Sequence, residues 1–175
     1  MLKYISGDVT NPIVHSDNEI VLIPHVCNNM RRFGAGVSGA IGRKWPEAEK
    51  AYRTSPISTQ LGEIVAKHVE TQIYVVHMIA QHDTQNSVRM LHNVDKNTGI
   101  EKEIPPVRYG ALAKAMIQTQ IFAGYLTNGD RTVTIASPMF GAGLSGGDWN
   151  VIESMILELW VDKGLDVTVY RLARS

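Results

Sequence analysis

Cysteine is nearly absent from this chain: Cys27 is the single one in 175 residues. That excludes an intramolecular disulfide and any cysteine-rich zinc site. Excess charge of either sign is missing as well, because 17 Lys and Arg balance 17 Asp and Glu to a formal net charge of zero. Bulk-charge binding of nucleic acid is thereby excluded, although a local basic patch survives such a cancellation. No apolar run approaches the roughly 20 residues of a membrane span, and the polar N-terminus does not read as a secretory leader. Low-complexity tracts are missing too, and 44% hydrophobic residues is the composition of an ordinary folded domain. The expectation is one soluble, cytoplasmic domain over residues 1–175, large enough to fold without disulfide or metal.

What is present alternates between two patterns. β-rich runs occupy Leu2–Ser6, Glu19–His25, Leu61–His68, Ile73–Ile79, Thr132–Ala136 and Val167–Leu172. Ile20-Val21-Leu22-Ile23 and Ile73-Tyr74-Val75-Val76 have no polar face, which suits strands covered on both sides. Helical spacing appears over Val37–Lys44, Pro46–Arg53, Pro106–Tyr125 and Asp148–Lys163, the last ended by Gly164. This order predicts an α/β layered sheet. Residues 82–105 break the rhythm and read either as a long loop or as a β-hairpin excursion.

Eight of the 15 glycines fall in two windows, Gly34–Gly42 and Gly141–Gly147, each between a predicted strand and a predicted helix. Glycine allows sharp turns and close approach of a ligand to backbone amides. A helix N-terminus beyond such a turn offers unpaired N–H groups and partial positive charge. Two such loops at strand ends favour a phosphate-bearing ligand over mere packing turns. Neither is a P-loop, since no Gly-Lys-Ser/Thr follows, and neither is the dinucleotide-binding GxGxxG.

Single residues are more ambiguous. Asp8, in Gly7-Asp8-Val9-Thr10 after the first strand, either accepts from an exocyclic amine or stabilises the turn; spacing alone favours the turn. His25 has an intrinsic pKa suited to proton transfer near neutrality, against the reading of a histidine hydrogen-bonded into the core. His82 and Asp83 form an acid–base pair or an ordinary polar loop start. Arg31 and Arg32 flank the first glycine loop, as solvated surface or as phosphate contacts. Cys27 reads as a small core residue. His15, His68, His77 and His92 show no metal-ligand spacing, so no metal and no cofactor is expected.

Taken together, these segments resemble the macro domain, the ADP-ribose-binding α/β/α module. Gly7-Asp8-Val9-Thr10 is similar to that family's opening GD(I/V)T. His25-Val26-Cys27-Asn28-Asn29, followed by Gly34-Ala35-Gly36-Val37-Ser38-Gly39-Ala40-Ile41, resembles its NAAN…GGGVAxAI segment. Pro138-Met139-Phe140-Gly141-Ala142-Gly143-Leu144 resembles its second phosphate-binding loop, and Val167–Leu172 its last strand. Gly143-Leu144-Ser145-Gly146-Gly147-Asp148-Trp149, with His25 and Cys27 before Asn28, is most similar to the branch containing fungal ADP-ribose 1″-phosphate phosphatase and terminal ADP-ribose glycohydrolase. Bacterial and phage relatives of that branch are the Appr-1″-p processing proteins.

The resemblance implies a three-layer α/β/α sandwich around a mixed sheet of about six strands. It implies that Gly7, Asp8 and Val9 meet the adenine and that Asn28 and Asn29 lie at the distal ribose. Gly34, Ala35, Gly36 and Val37 would give amides to the phosphates, and Pro138 to Ser145 would wrap the diphosphate from the other side. His25, matching a histidine of the phosphatase branch, and Asn28 become the catalytic expectation. The implied ligands are ADP-ribose or ADP-ribose 1″-phosphate, with ADP-ribosylated macromolecules as further partners. Two departures matter: the glycohydrolase branch has a lysine where this chain has Gln81 and an aspartate where it has Ser145. The implied activity is hydrolysis of ADP-ribose 1″-phosphate, with ADP-ribosyl hydrolysis and non-catalytic binding as alternatives.

Overall fold

A computed structural model describes residues 1–83, 91–94, 97–98, 101–143 and 145–173. Eight strands and four helices follow one another as β1 (Leu2–Ser6), β2 (Glu19–Asn28), α1 (Gly36–Lys44), α2 (Pro46–Thr54), β3 (Ile64–Glu70), β4 (Ile73–Gln81), β5 (Leu91–Val94), β6 (Glu101–Ile104), α3 (Tyr109–Leu126), β7 (Thr132–Ser137), α4 (Trp149–Leu159) and β8 (Asp166–Arg171). Six strands form one sheet in the order β1-β8-β7-β2-β4-β3. All its pairings are parallel except that of β3 with β4. The sheet is therefore mixed, as expected, and its antiparallel member stands at one edge.

The two apolar runs form the centre of this sheet. Val21 and Ile23 of β2 pack with Ile41, Trp45 and Ala48 from α1, α2 and the corner between them. Ile20 and Leu22 pack on the other face, with Leu112 and Met116 of α3 and Ile152 and Ile156 of α4. Alternate residues of one strand thus feed two helical layers, which is why β2 reads as continuously hydrophobic. The result is the three-layer α/β/α sandwich. Among the described residues, no helix is long and apolar enough to cross a membrane.

Several boundaries differ from the sequence-based expectation, and two of them bear on the site. β2 runs on past His25 to Asn28, with a register slip against β4 between Cys27 and Asn28. The helix expected from Pro106 starts only at Tyr109. Ahead of it the chain is extended: Val107 bridges to Gln81, and the Val107 and Arg108 amides donate to Ser145 O (3.0 Å) and Ala80 O (2.8 Å). Those amides gain more from these partners than from an extra helical turn. Within 82–105, β5 and β6 pair antiparallel as a separate two-stranded sheet, while residues 84–90, 95–96 and 99–100 lie outside the described part.

The parallel strands all present their C-terminal ends at one edge. From there β2 leads through α1 and α2 toward β3, whereas β7 leads through α4 to β8, on the opposite side. Adjacent strands whose connections diverge leave a crevice between their outgoing loops, the usual ligand site of open α/β sheets.

Candidate functional site

A cavity of about 530 Å³ fills that crevice. Its first wall is the segment after β2, and the Asn28 side chain sets that segment's course. Asn28 Oδ1 accepts from the amides of Met30 and Arg32, both at 3.0 Å, and Nδ2 donates to Arg32 O at 2.7 Å. The Tyr52 hydroxyl donates to the Asn28 carbonyl and also reaches Oδ1 at 3.1 Å. Arg31, at φ 57°, directs its guanidinium away from the cavity to Ser58 Oγ and Ser55 O, both at 2.8 Å. Of the two arginines, only Arg32 lies on the cavity wall. Beyond it, Gly36 opens α1 at φ 54°, where a side chain would be strained, and no atom stands within 4 Å of where its Cβ would be. Gly36, Val37 and Ser38 bring the first turn of α1 to the cavity, with amides that have no intrahelical partner.

The second wall is the loop from Pro138 to Gly147. It is pinned shut by Gly147 N donating to Gly141 O at 2.7 Å, so closely that a Cβ at Gly147 would sit 2.5 Å from that oxygen. Gly143 is different. It faces the cavity, and a Cβ there would meet nothing within 4 Å, so its backbone does not demand glycine. Ser145 is buried and donates from Oγ to Gln81 Oε1 at 2.5 Å, while Gln81 Nε2 donates to Asp83 O at 2.6 Å. The two positions at which this chain departs from the lysine–aspartate pair are therefore in direct contact, as a neutral pair.

Of the residues singled out in the sequence, the cavity wall brings together His25, Asn28, Ala35, Gly36, Val37, Pro138, Met139, Phe140, Gly141, Gly143 and Ser145. Gly7, Asp8, Val9, Asn29, Gly34 and Ala142 are not on it, and Leu144 lies outside the described residues. Asp8 Oδ1 accepts from the Thr10 amide (2.9 Å) and hydroxyl (2.8 Å), so the turn reading holds for that oxygen; Val9 is buried in the core. Asn29 ties loop ends together: its Oδ1 accepts from the Asp83 amide at 3.0 Å, and its Nδ2 lies 3.1 Å from His82 Nδ1. His82 is thus engaged with Asn29, and the Asp83 carboxylate lies 3.9 Å from the Arg32 guanidinium. Phe33, Cys27 and Gln81 belong to the wall and were not among the expected site residues.

His25 is bound into the core. It is 2% exposed, and burial, reinforced by neighbouring His77, holds its imidazole well below the ordinary pKa. Burial also pushes His77 down to about 4 and the Cys27 thiol well above its usual value. His77 Nε2 lies 2.9 Å from Ala48 O, which only accepts, so a neutral His77 keeps its lone pair on Nδ1. His25 Nε2 then donates to that Nδ1 across 2.6 Å. In that arrangement the Nε2 proton of His25 is engaged with His77. His77, which shows no metal-ligand spacing in sequence, joins a cluster in the fold: β2 and β4 register His25 opposite His77, and Cys27 Sγ lies 3.5 to 3.8 Å from their ring nitrogens. Residues 52 apart in sequence meet through strand pairing, which linear spacing does not reveal.

No family model matches this chain. A crystal structure of a protein from Bacteroides thetaiotaomicron is similar at 30% identity and TM-score 0.80, over 98% of this chain and 100% of that one. A macrodomain protein from Streptomyces coelicolor is similar at 28% identity and TM-score 0.73, over 99% of this chain and 100% of its own. The ADP-ribose 1″-phosphate phosphatase of Lodderomyces elongisporus is 23% identical over an alignment that covers 97% of each chain.

Two outcomes test this geometry. Gly147→Ala should cost about 1–3 kcal/mol in urea unfolding, because the clash is with backbone, whereas Gly143→Ala should stay within about 0.5 kcal/mol. Equal effects would contradict the different roles of the two glycines. The second outcome follows from His25 and His77, whose folded pKa values lie below the unfolded one. The stabilisation from keeping them neutral is full above about pH 6.5 and is lost as pH falls toward the folded value, about 4 for His77. Unfolding free energy measured in metal-free buffer should therefore decline between about pH 7 and about pH 5, and a flat profile there would contradict it.

Proposed function

We propose, from the premise that this chain belongs to the macro domain family, that it binds ADP-ribose and hydrolyses the terminal phosphate of ADP-ribose 1″-phosphate. The observation that carries the binding reading is the crevice at the diverging ends of β2 and β7. One wall offers first-turn amides of α1 and the other a glycine loop, so a diphosphate is held by backbone dipoles rather than by lysines. The volume of about 530 Å³ lies within the range of nucleotide-sized ligand pockets. Adenine extends beyond the cavity to the end of β1, where Asp8 Oδ2, the oxygen not used in the turn, accepts from the exocyclic amine. The distal ribose lies toward Asn28 and the half-buried ring of Phe33.

The phosphatase reading is supported by the likeness to the Lodderomyces enzyme over 97% of both chains. In that reaction a water oxygen attacks phosphorus in line, the bond from phosphorus to the anomeric oxygen breaks, that oxygen takes up a proton as the water gives one up, and the loop amides hold the developing charge. Asn28 has one Nδ2–H beyond the bond to Arg32 O with which to orient the ribose. His25 stays a neutral floor residue; it lends a lone pair rather than a proton. Removal of ADP-ribose through a lysine adduct has no nucleophile here, because Gln81 and Ser145 are neutral and bonded to each other. The same saturation of polar groups favours, as the second reading, a module that binds ADP-ribose without turnover.

Calorimetry should give one ADP-ribose per chain, with AMP at least about tenfold weaker, since AMP lacks the second phosphate and distal ribose. Asp8→Asn keeps an oxygen for the Thr10 turn and removes the charge, so it should weaken ADP-ribose by about 10- to 150-fold, the equivalent of roughly 1.5–3 kcal/mol. Equal affinities for the two nucleotides, or an unchanged Asp8→Asn, would count against this placement. Phosphate should be released from ADP-ribose 1″-phosphate, while ADP-ribosylated protein stays intact. Binding without phosphate release would leave the module reading in its place.

A further inference from the structure

Beneath the cavity, β2 and β4 bring His25, Cys27 and His77 together, with one ligand atom from each within 4.8 Å of the others. We propose that this cluster is a zinc site, held by Cys27 Sγ, His25 Nε2 and His77 Nδ1. The inference stands on the sheet register and does not depend on the nucleotide reading.

Three observations converge. The first is spacing. With metal–sulfur bonds near 2.3 Å and metal–nitrogen bonds near 2.05 Å, tetrahedral zinc separates sulfur from nitrogen by about 3.6 Å and two nitrogens by about 3.3 Å. Cys27 Sγ lies 3.5 Å from His25 Nε2 and 3.7 Å from His77 Nδ1, which already matches. The two nitrogens are 2.6 Å apart, as the hydrogen bond between them requires, and need to part by only about 0.7 Å. The second is the outer partner of His77. Its Nε2–H is fixed on Ala48 O at 2.9 Å, so the lone pair on Nδ1 is aimed at Cys27 and His25; a zinc-bound imidazole is typically oriented by such a bond to a carbonyl. The third is composition: one thiolate and two imidazoles suit zinc and disfavour magnesium or calcium.

Binding is balanced as follows. The Cys27 thiol releases its proton to water as the sulfur–zinc bond forms. His25 moves its proton from Nε2 to Nδ1, so that Nε2 presents a lone pair. Water from the cavity, whose wall includes His25 and Cys27, fills the fourth position and gives the ion its way in.

The test uses the untagged full-length chain, stripped with a chelator and titrated with Zn²⁺ and with Co²⁺ as its spectroscopic substitute. Cys27 is the chain's single cysteine, so a thiolate-to-cobalt charge-transfer band can come from nowhere else within it. The expected result is one metal per chain with a Zn²⁺ Kd below about 10 µM, the cobalt band, and displacement of that band by zinc. Long-range imidazole ¹⁵N spectra should report coordination through His25 Nε2 and His77 Nδ1. Cys27→Ser should lose the band and weaken Zn²⁺ by about 100-fold or more. Should that variant fail to fold, the wild-type band and imidazole spectra decide by themselves. Weaker binding, a cobalt complex without the thiolate band, unshifted His25 and His77 nitrogens, or undiminished zinc binding in folded Cys27→Ser would each overturn the site.

Discussion

The amide of Asn28 is the small interaction on which the cavity depends. It sits where β2 ends in a register slip, and it holds the next turn from both sides, accepting two amides and donating to one carbonyl. That clamp helps direct the backbone at Arg31 into its left-handed turn, ahead of Gly36 and Val37 at the crevice. Tyr52 secures the clamp from α2, and the Arg31 and Arg53 guanidiniums tie the loop to neighbouring backbone and side-chain oxygens. The first wall is thus rigid through hydrogen bonds made almost wholly within the β2–α2 unit.

That arrangement leaves a site with little formal charge. The residues that approach the cavity floor are Gln81 and Ser145, bonded to each other, and His25, bonded to His77. Arg32 is a cation on the wall, more than half exposed and 3.9 Å from the Asp83 carboxylate. An anionic ligand therefore meets aligned peptide dipoles, which are already in place and need no reorganisation, rather than mobile lysines. The near-neutral balance of the whole chain agrees with a cavity of little formal charge.

The layered fold and both glycine loops were legible because each depends on local pattern. Buried strands read as apolar runs, and glycine clusters between a strand and a helix mark turns whatever the rest of the chain does. The resemblance added Asn28 and the order of the walls. What was not legible comes from pairing across the sheet. His77 looks like any strand histidine until β2 sets it opposite His25, and Gln81 finds Ser145 only because residues 105–108 lace the end of β4 to the second loop. The same lacing explains the misplaced start of α3. Proline often opens a helix, but here the amides just after Pro106 serve the second loop and β4. Asp8 shows the opposite case: the turn role suggested by spacing alone is the one its Oδ1 performs.

The lacing has another consequence. Gln81 bridges Val107, and the His82 amide donates to Pro106 O at 2.9 Å, so the chain leaves the sheet and returns to it at one point. The described strands between them, β5 and β6, follow from one tied neck. Chain added there or removed costs little in closure entropy, which grows only with the logarithm of length, and it does not pull on β4 or α3. That neck is accordingly the natural port of this molecule, where a foreign segment can be grafted between His82 and Pro106 while the sheet beneath keeps its register.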